Sequence, residues 1–139
     1  MEVEIRSAEP DDETAIKQLL CSLPGVWQKE WRDSAVSVAL KSAGELALVA
    51  IVNKEIKGFV CFHDLGFRAY LSEMAISERY QKSGIGSLLL NRAENILSSK
   101  GCKLVVADAY PPAEEFYRKN GWVKPNATLL AKRIEIDKG

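Results

Sequence analysis

Apolar residues recur along this chain at two spacings, and the places where one gives way to the other mark out its elements. Val3 and Ile5 alternate with Glu2, Glu4 and Arg6, the signature of a half-buried strand, and Pro10-Asp11-Asp12-Glu13 then reads as the acidic first turn of a helix. Ala15, Ile16, Leu19, Leu20 and Leu23 share one helical face. After Pro24-Gly25, the residues Trp27, Trp31, Ala35 and Val38 fall at spacings of four, four and three, which predicts a second helix as far as Ser42, with Gly44 ending it. Leu46–Val52 and Ile56–Phe62 flank Asn53-Lys54-Glu55 as a hairpin, and a third apolar run covers Ala69 to Ile76. From Gly84 to Ser99, Ile85, Leu88, Leu89, Ala93, Ile96 and Leu97 form one stripe that stops near Gly101. Leu104–Ala107 is a short continuous strand, Pro111-Pro112 opens a helix to Lys119, and Trp122–Val123 and Leu129–Ile136 read as closing strands. The predicted order is β α α β β β α β α β β, with no repeat, linker or low-complexity tract. Such an order packs economically only as an α/β or α+β layered domain.

The chain has 139 residues, 47% of them apolar, within the usual size of one domain. Nineteen Lys and Arg balance nineteen Asp and Glu, so neither non-specific nucleic-acid binding nor a polybasic membrane contact is expected. The balance is uneven, however: residues 1–13 hold six acids and one base, whereas residues 79–103 hold five bases and one acid. No apolar run approaches the ~20 residues that span a bilayer. The N-terminus lacks the basic and apolar regions of an export signal, which leads to an expected cytoplasmic location. Cys21, Cys61 and Cys102 are odd in number and widely spaced, so neither a disulfide framework nor a metal site is expected.

The most informative stretch is Leu71-Ser-Glu-Met-Ala-Ile-Ser-Glu-Arg-Tyr-Gln-Lys-Ser-Gly-Ile-Gly86, a strand, a polar loop and a glycine-containing helix start. Helix N-terminal amides at the positive end of the dipole, with two glycines giving access to the backbone, suit a phosphate or pyrophosphate. The alternative is that Gly84 and Gly86 only permit close helix–strand packing. A P-loop is excluded because Lys82-Ser83 precede the glycines, and a dinucleotide fingerprint because Leu89 stands where its third glycine belongs.

Gln81-Lys82-Ser83-Gly84-Ile85-Gly86 resembles the [QR]-x-x-G-x-[GA] loop of the GNAT superfamily of acyl-CoA-dependent N-acyltransferases, and Ala113-Glu-Glu-Phe116-Tyr117-Arg-Lys-Asn-Gly121-Trp122 resembles that family's A-x-x-F-Y-x-x-x-G-[FW] element. Both occur in order, with a helix and strand between them, and the element order is similar to the family's over essentially the whole chain. The resemblance implies a single domain over residues 1–139. Its mixed central sheet would have a splayed fourth and fifth strand, with helices on both faces. It further implies that the amides of Gln81, Lys82, Ser83, Gly84, Ile85, Gly86 and Ser87 hold the pyrophosphate of acetyl-CoA, while the backbone of Met74, Ala75 and Ile76 meets the pantetheine arm as an added strand would. On this resemblance Arg79, Lys82 and Arg92 are expected to supply positive charge to the nucleotide phosphates, with surface solvation as the alternative for Arg92. One departure stands out: Tyr110 occupies the position, three before Ala113, where the family often has Asn.

The implied reaction is direct attack of a primary amine on acetyl-CoA in a ternary complex, with strand N–H groups stabilising the tetrahedral oxyanion and no metal. Tyr117 is the candidate acid, because a phenol can protonate the departing thiolate; it is also the candidate contact to the cofactor's sulfur. Glu73 is the candidate base that takes a proton from the ammonium of the acceptor. In a regularly alternating strand it shares a face with Leu71 and Ala75, opposite Ser72 and Met74; a solvent-facing or ion-paired glutamate is the other reading. His63, the sole histidine, reads as a surface or packing residue, with an acceptor-site role as the alternative. Trp27 and Trp31 read as packing residues that alternatively wall the acceptor pocket. A non-catalytic acyl-CoA-binding module is the rival function. Whether the acceptor is a metabolite or a peptide, and whether the chain forms a homodimer, is left open.

Overall fold

In the computed structural model, which describes residues 1–136, the chain divides into two compact units, Met1–Ala107 and Asp108–Gly139. The first unit holds β1 (Glu4–Ser7), α1 (Glu13–Ser22), α2 (Ala35–Ala43), β2 (Ala47–Val52), β3 (Glu55–Asp64), β4 (Ala69–Ile76), α3 (Ile85–Ser99) and β5 (Val105–Ala107). The second holds α4 (Pro111–Lys119). The five strands form one sheet in the order β1-β2-β3-β4-β5, antiparallel as far as β4 and parallel between β4 and β5. The fold is a mixed α/β sheet flanked by helices. Asn53 and Lys54 close the β2–β3 hairpin with φ of 51° and 67°, the two positive values that a tight two-residue turn between twisted strands requires.

Strand alternation gives the sheet two apolar faces. Ala47 and Val49 of β2, Phe59 and Cys61 of β3 and Ala75 of β4 meet Ile16, Leu19 and Leu20 of α1 and Val36 of α2 on one face. On the other face α3 lies against β2 and β3, and Gly58 sets how closely. A Cβ built at Gly58 would stand 3.0 Å from Ile85 Cγ2, 3.1 Å from Leu89 Cδ1 and 3.2 Å from Ala50 Cβ. The helix that begins at the glycine loop is thus seated on the sheet by a glycine of β3. Its far end closes in a Schellman motif, with Gly101 N donating to Ser98 O and Cys102 N to Leu97 O, both at 3.0 Å.

Two predicted features take another form. The helix expected from Trp27 begins only at Ala35, and residues 24–34 form successive turns. The backbone there closes separate turns, Trp31 N donating to Gln28 O (3.0 Å) and Ala35 N to Arg32 O (2.9 Å), and the Gln28 side-chain amide donates to the carbonyls of Gly25 (2.7 Å) and Val26 (3.2 Å). The periodic indoles instead meet each other edge-on, with ring centroids 5.1 Å apart. The strands expected at Trp122–Val123 and Leu129–Ile136 are absent: residues 122–136 carry no ladder, and Val123, Leu129, Leu130, Ile134 and Ile136 stay between 70% and 87% exposed. Alternating apolar residues make a segment able to pair, but a strand exists only where an edge receives it.

Gly58→Ala should destabilise the fold by about 1–3 kcal/mol, the usual cost of overpacking, because Ile85 and Leu89 are fully buried and Ala50 Cβ is fixed to its backbone. Urea unfolding of the two proteins at equal m-value checks it.

Candidate functional site

The site is built around an irregularity in β4. Cys61 of β3 pairs with Glu73, but the next residue, Phe62, pairs with Leu71, so Ser72 has no opposite number and forms a β-bulge. Two adjacent side chains, Ser72 and Glu73, consequently line the same cavity on the α1–α2 side of the sheet. Glu73 does share its face with Ala75, since their partners Cys61 and Phe59 both lie in that core. The expectation that it also shares a face with Leu71, opposite Ser72, is corrected by the bulge. The β4–β5 pairing also stops at Leu71–Ala107, just before the bulge, so β4 runs on through Met74, Ala75 and Ile76 beyond its last pair with β5.

The cavity has a volume of about 380 Å³. Leu20 of α1, Val36, Val38 and Ala39 of α2 and the half-buried Trp27 and Trp31 form its mostly apolar side, with Glu30 and Arg32 beside the indoles, and Phe59, His63, Ser72 and Glu73 its sheet side. His63 is fixed at both ring nitrogens, Nε2 at 2.7 Å from Ser72 Oγ and Nδ1 at 2.9 Å from Ser42 Oγ. Because Ser72 Oγ donates to Cys61 O at 3.4 Å, the consistent assignment has Nε2–H donating to Ser72 while the Ser42 hydroxyl donates to Nδ1. Burial lowers the His63 pKa below its ordinary value, so the ring is neutral at pH 7. The neighbouring Cys61 thiol is pushed up to about 12, mainly by burial and further by the Glu73 carboxylate, which makes it an inert core thiol behind the cavity floor. The sequence singled out Glu73 but gave no sign of Ser42 or Ser72, whose importance lies in contacts across three elements.

Past β4, a short 3-10 turn at Glu78–Tyr80 leads into the loop. Gln81 Nε2 donates back to Ile76 O at 3.1 Å, and Ser83 Oγ donates to Tyr80 O, so the loop is pinned from within. Lys82 (φ 64°) and Gly84 (φ 93°) both take the left-handed conformation that turns successive amides toward one side. Gly84 caps α3, and the first bond there runs from Leu88 N to Gly84 O at 3.1 Å, leaving Ile85, Gly86 and Ser87 as the leading amides. A Cβ at Gly84 would meet nothing within 4 Å. Its requirement for glycine is therefore conformational, whereas Gly86 is buried in the first turn of α3 and Gly58 faces that helix from the sheet. Arg92 reaches the carbonyl of Ile5 at 3.4 Å.

Tyr117 belongs to the second unit. It is half-buried on α4, with its ring 5.5 Å from that of Phe116 and 5.3 Å from that of Trp122. The Gly121-Trp122 end of the motif is a Schellman cap: Gly121 (φ 91°) donates to Arg118 O at 3.1 Å, and Trp122 N to Tyr117 O at 3.1 Å, which folds the indole back onto the phenol. Tyr110 caps the other end of α4 through its carbonyl, which accepts from Ala113 N at 2.8 Å, while its side chain is 69% exposed. Among the described residues no three His, Cys, Asp or Glu side chains gather as a metal site, and no helix is long and apolar enough to cross a membrane.

The profile of the Acetyltransferase (GNAT) family matches residues 13–122. A protein of Yersinia pestis (strain Pestoides F) named "Acetyltransferase" is 26% identical over 140 aligned residues, covering 99% of this chain and 98% of its own. The ribosomal-protein-alanine N-acetyltransferase of Brucella melitensis biovar Abortus 2308 superposes with a TM-score of 0.79 at 19% identity, covering 98% of this chain and 100% of its own. The acetyltransferase AAC(6')-Iy, solved with a CoA-containing bisubstrate analogue, superposes with a TM-score of 0.78 at 13% identity, covering 96% of this chain and 99% of its own.

The His63 geometry makes a prediction of its own. The ring should titrate with a midpoint below 6.5, as an Nε2–H tautomer, in a ¹H–¹⁵N NMR experiment on the single histidine. A base whose folded pKa is depressed takes its proton more readily when unfolded, so its contribution is present above pH 6.5 and stability falls as pH drops from there through the folded pKa.

Proposed function

Because the chain belongs to the acetyltransferase (GNAT) family, we propose that it is an acetyl-CoA-dependent N-acetyltransferase acting on a primary amine by direct attack in a ternary complex. The observation that carries this reading is the course of β4. One strand brings Glu73 into the cavity at its bulge and continues through Met74–Ile76 to the amide-lined loop, so an acceptor pocket and an anion cradle share a backbone. The cradle suits a pyrophosphate: Lys82 and Gly84 have positive φ, and the space that a Cβ of Gly84 would enter is clear of protein atoms. Gln81–Ser87 would hold the pyrophosphate and the Met74–Ile76 backbone the pantetheine arm. The thioester supplies an activated acetyl group.

The side chains then manage protons. Glu73 accepts one from the ammonium of the acceptor, directly or through water, releasing the lone pair that attacks. As the C–S bond breaks, the Tyr117 hydroxyl gives a proton to the thiolate. The chain acts as one domain over residues 1–139, a reading supported by a family match that runs across both units. It acts in the cytoplasm, in keeping with three free thiols. Nucleic acid, membrane and metal have no part in the reaction, and a homodimer is compatible with it.

Calorimetric titration with acetyl-CoA, followed by thiol release with a panel of amines, tests the proposal. Binding and turnover are expected; binding without turnover on any amine would instead identify an acyl-CoA-binding module. Tyr117→Phe should lower kcat by about 10²–10⁴ with acetyl-CoA affinity retained, the usual scale for loss of a general acid. An unchanged kcat where chemistry limits the rate returns Tyr117 to its aromatic cluster.

Glu73→Gln should lower kcat/KM and remove the acidic limb of its pH profile, because a carboxylate protonated at low pH cannot accept the amine's proton. With one amine of known pKa, an acidic limb that survives at undiminished rate assigns the base elsewhere.

A further inference from the structure

The cavity beside Glu73 is divided by chemistry, and the division constrains what enters it. Its floor on the sheet is polar apart from Phe59, with Ser72, Glu73 and the His63 ring held between Ser42 and Ser72. Across from it, most of the lining is carbon: Leu20, Val36, Val38 and Ala39 of the two helices, with Trp27 and Trp31 from the turns before α2. The indoles meet edge-on at 5.1 Å, so they form one continuous aromatic wall with few rotatable bonds to immobilise when a ligand docks. Lys17 Nζ lies 5.2 Å from the Trp27 ring centre, so an ammonium already rests on one of these rings. Glu73 is the acidic side chain on the sheet floor, while Glu30 and Arg32 lie among the residues of the opposite wall and Lys17 stands at its Trp27 edge.

A cavity of about 380 Å³ lies at the lower end of the range for small-molecule pockets. A ligand matched to it is compact, cationic at one end and apolar over the rest. A polyhydroxylated amine would bury hydroxyls against Trp27, Trp31 and Val36, where the side chains offer few hydrogen-bonding partners, at the cost of its hydration.

Resting on the acetyltransferase reading for its chemistry, we propose that this cavity takes a small primary amine on an aromatic or branched aliphatic body. Its ammonium lies toward Glu73 and its body against the Trp27–Trp31 wall. Trp31 is then a specificity-determining residue: it selects the body of the acceptor and leaves proton transfer to Glu73.

The test uses phenethylamine as the apolar-bodied probe and glucosamine as the polyhydroxylated one. Binding is read without acetyl-CoA, from the indole N–H signals of the full chain in ¹H–¹⁵N NMR, so it does not depend on turnover. Phenethylamine should shift the Trp27 and Trp31 signals and glucosamine should not; Trp31→Ala should weaken phenethylamine at least tenfold, and Trp31→Phe should restore most of that loss. In the acetylation assay, kcat/KM should favour phenethylamine by at least tenfold, with the Trp31→Ala defect appearing in KM. Indole shifts with phenethylamine but no acetyl transfer to any amine would uphold the pocket and overturn the enzyme reading. Acetyl transfer that prefers glucosamine, or phenethylamine binding that is indifferent to Trp31→Ala in a protein with unchanged melting temperature, would overturn the pocket assignment.

Discussion

A strand paired on one side along its whole length, and on the other only as far as Leu71, has to change course, and β4 does so at Ser72. β3 holds β4 from Ala69 to Ile76, while the parallel ladder to β5 ends at Leu71–Ala107. Inserting one residue into β4 accommodates both conditions, because a bulge adds local twist and turns two neighbouring side chains to one face. The part of β4 that lines the cavity and leads to the glycine loop lies at or beyond that insertion. Ser72 orients His63, Glu73 carries charge into the cavity, and the backbone continues toward the glycine loop.

The loop in turn depends on how α3 is seated. A helix can present its leading amides only if its N-terminus is held at a fixed depth and angle, and here a residue from another element sets the depth. Gly58, in the middle of β3, removes the side chain that would meet Ile85 and Leu89 in the first turns of α3. Gly84 has the complementary task of turning the backbone through φ 93° where space is open. The two glycines therefore divide close approach and conformational freedom between them.

Local pattern made much of this legible. The limits of β4, the α3 stripe, the glycine-bounded start of α3 and the Pro-opened α4 follow from periodicity and from residue types whose physics is local, such as Gly at a helix end and Pro at a helix start. The bulge escaped because alternation reads every strand as regular: nothing in Leu71-Ser72-Glu73 signals that β5 stops pairing there. The Trp27–Val38 periodicity spans two structures, the pair of indoles in contact within the turns and the first residues of α2. In residues 122–136 the strand pattern lacked the partner edge that a strand requires. His63 was visible as the sole histidine, but its meaning comes from Ser42 and Ser72, on two other elements.

The polarity of the cavity follows from the same geometry. Burial drives both His63 and Cys61 toward their uncharged forms, so Glu73 is the charged side chain that the sheet contributes to the cavity. A single carboxylate on an otherwise neutral floor interacts with an ammonium more strongly than one diluted among other charges or solvent, because the low-dielectric wall of Trp27 and Trp31 reduces screening. The bulge places that carboxylate one residue from the serine that keeps the imidazole in a fixed tautomer. The sheet floor of the cavity thus offers one carboxylate beside an imidazole held by two hydroxyls, and the facing wall is mostly carbon, with Glu30 and Arg32 among its residues.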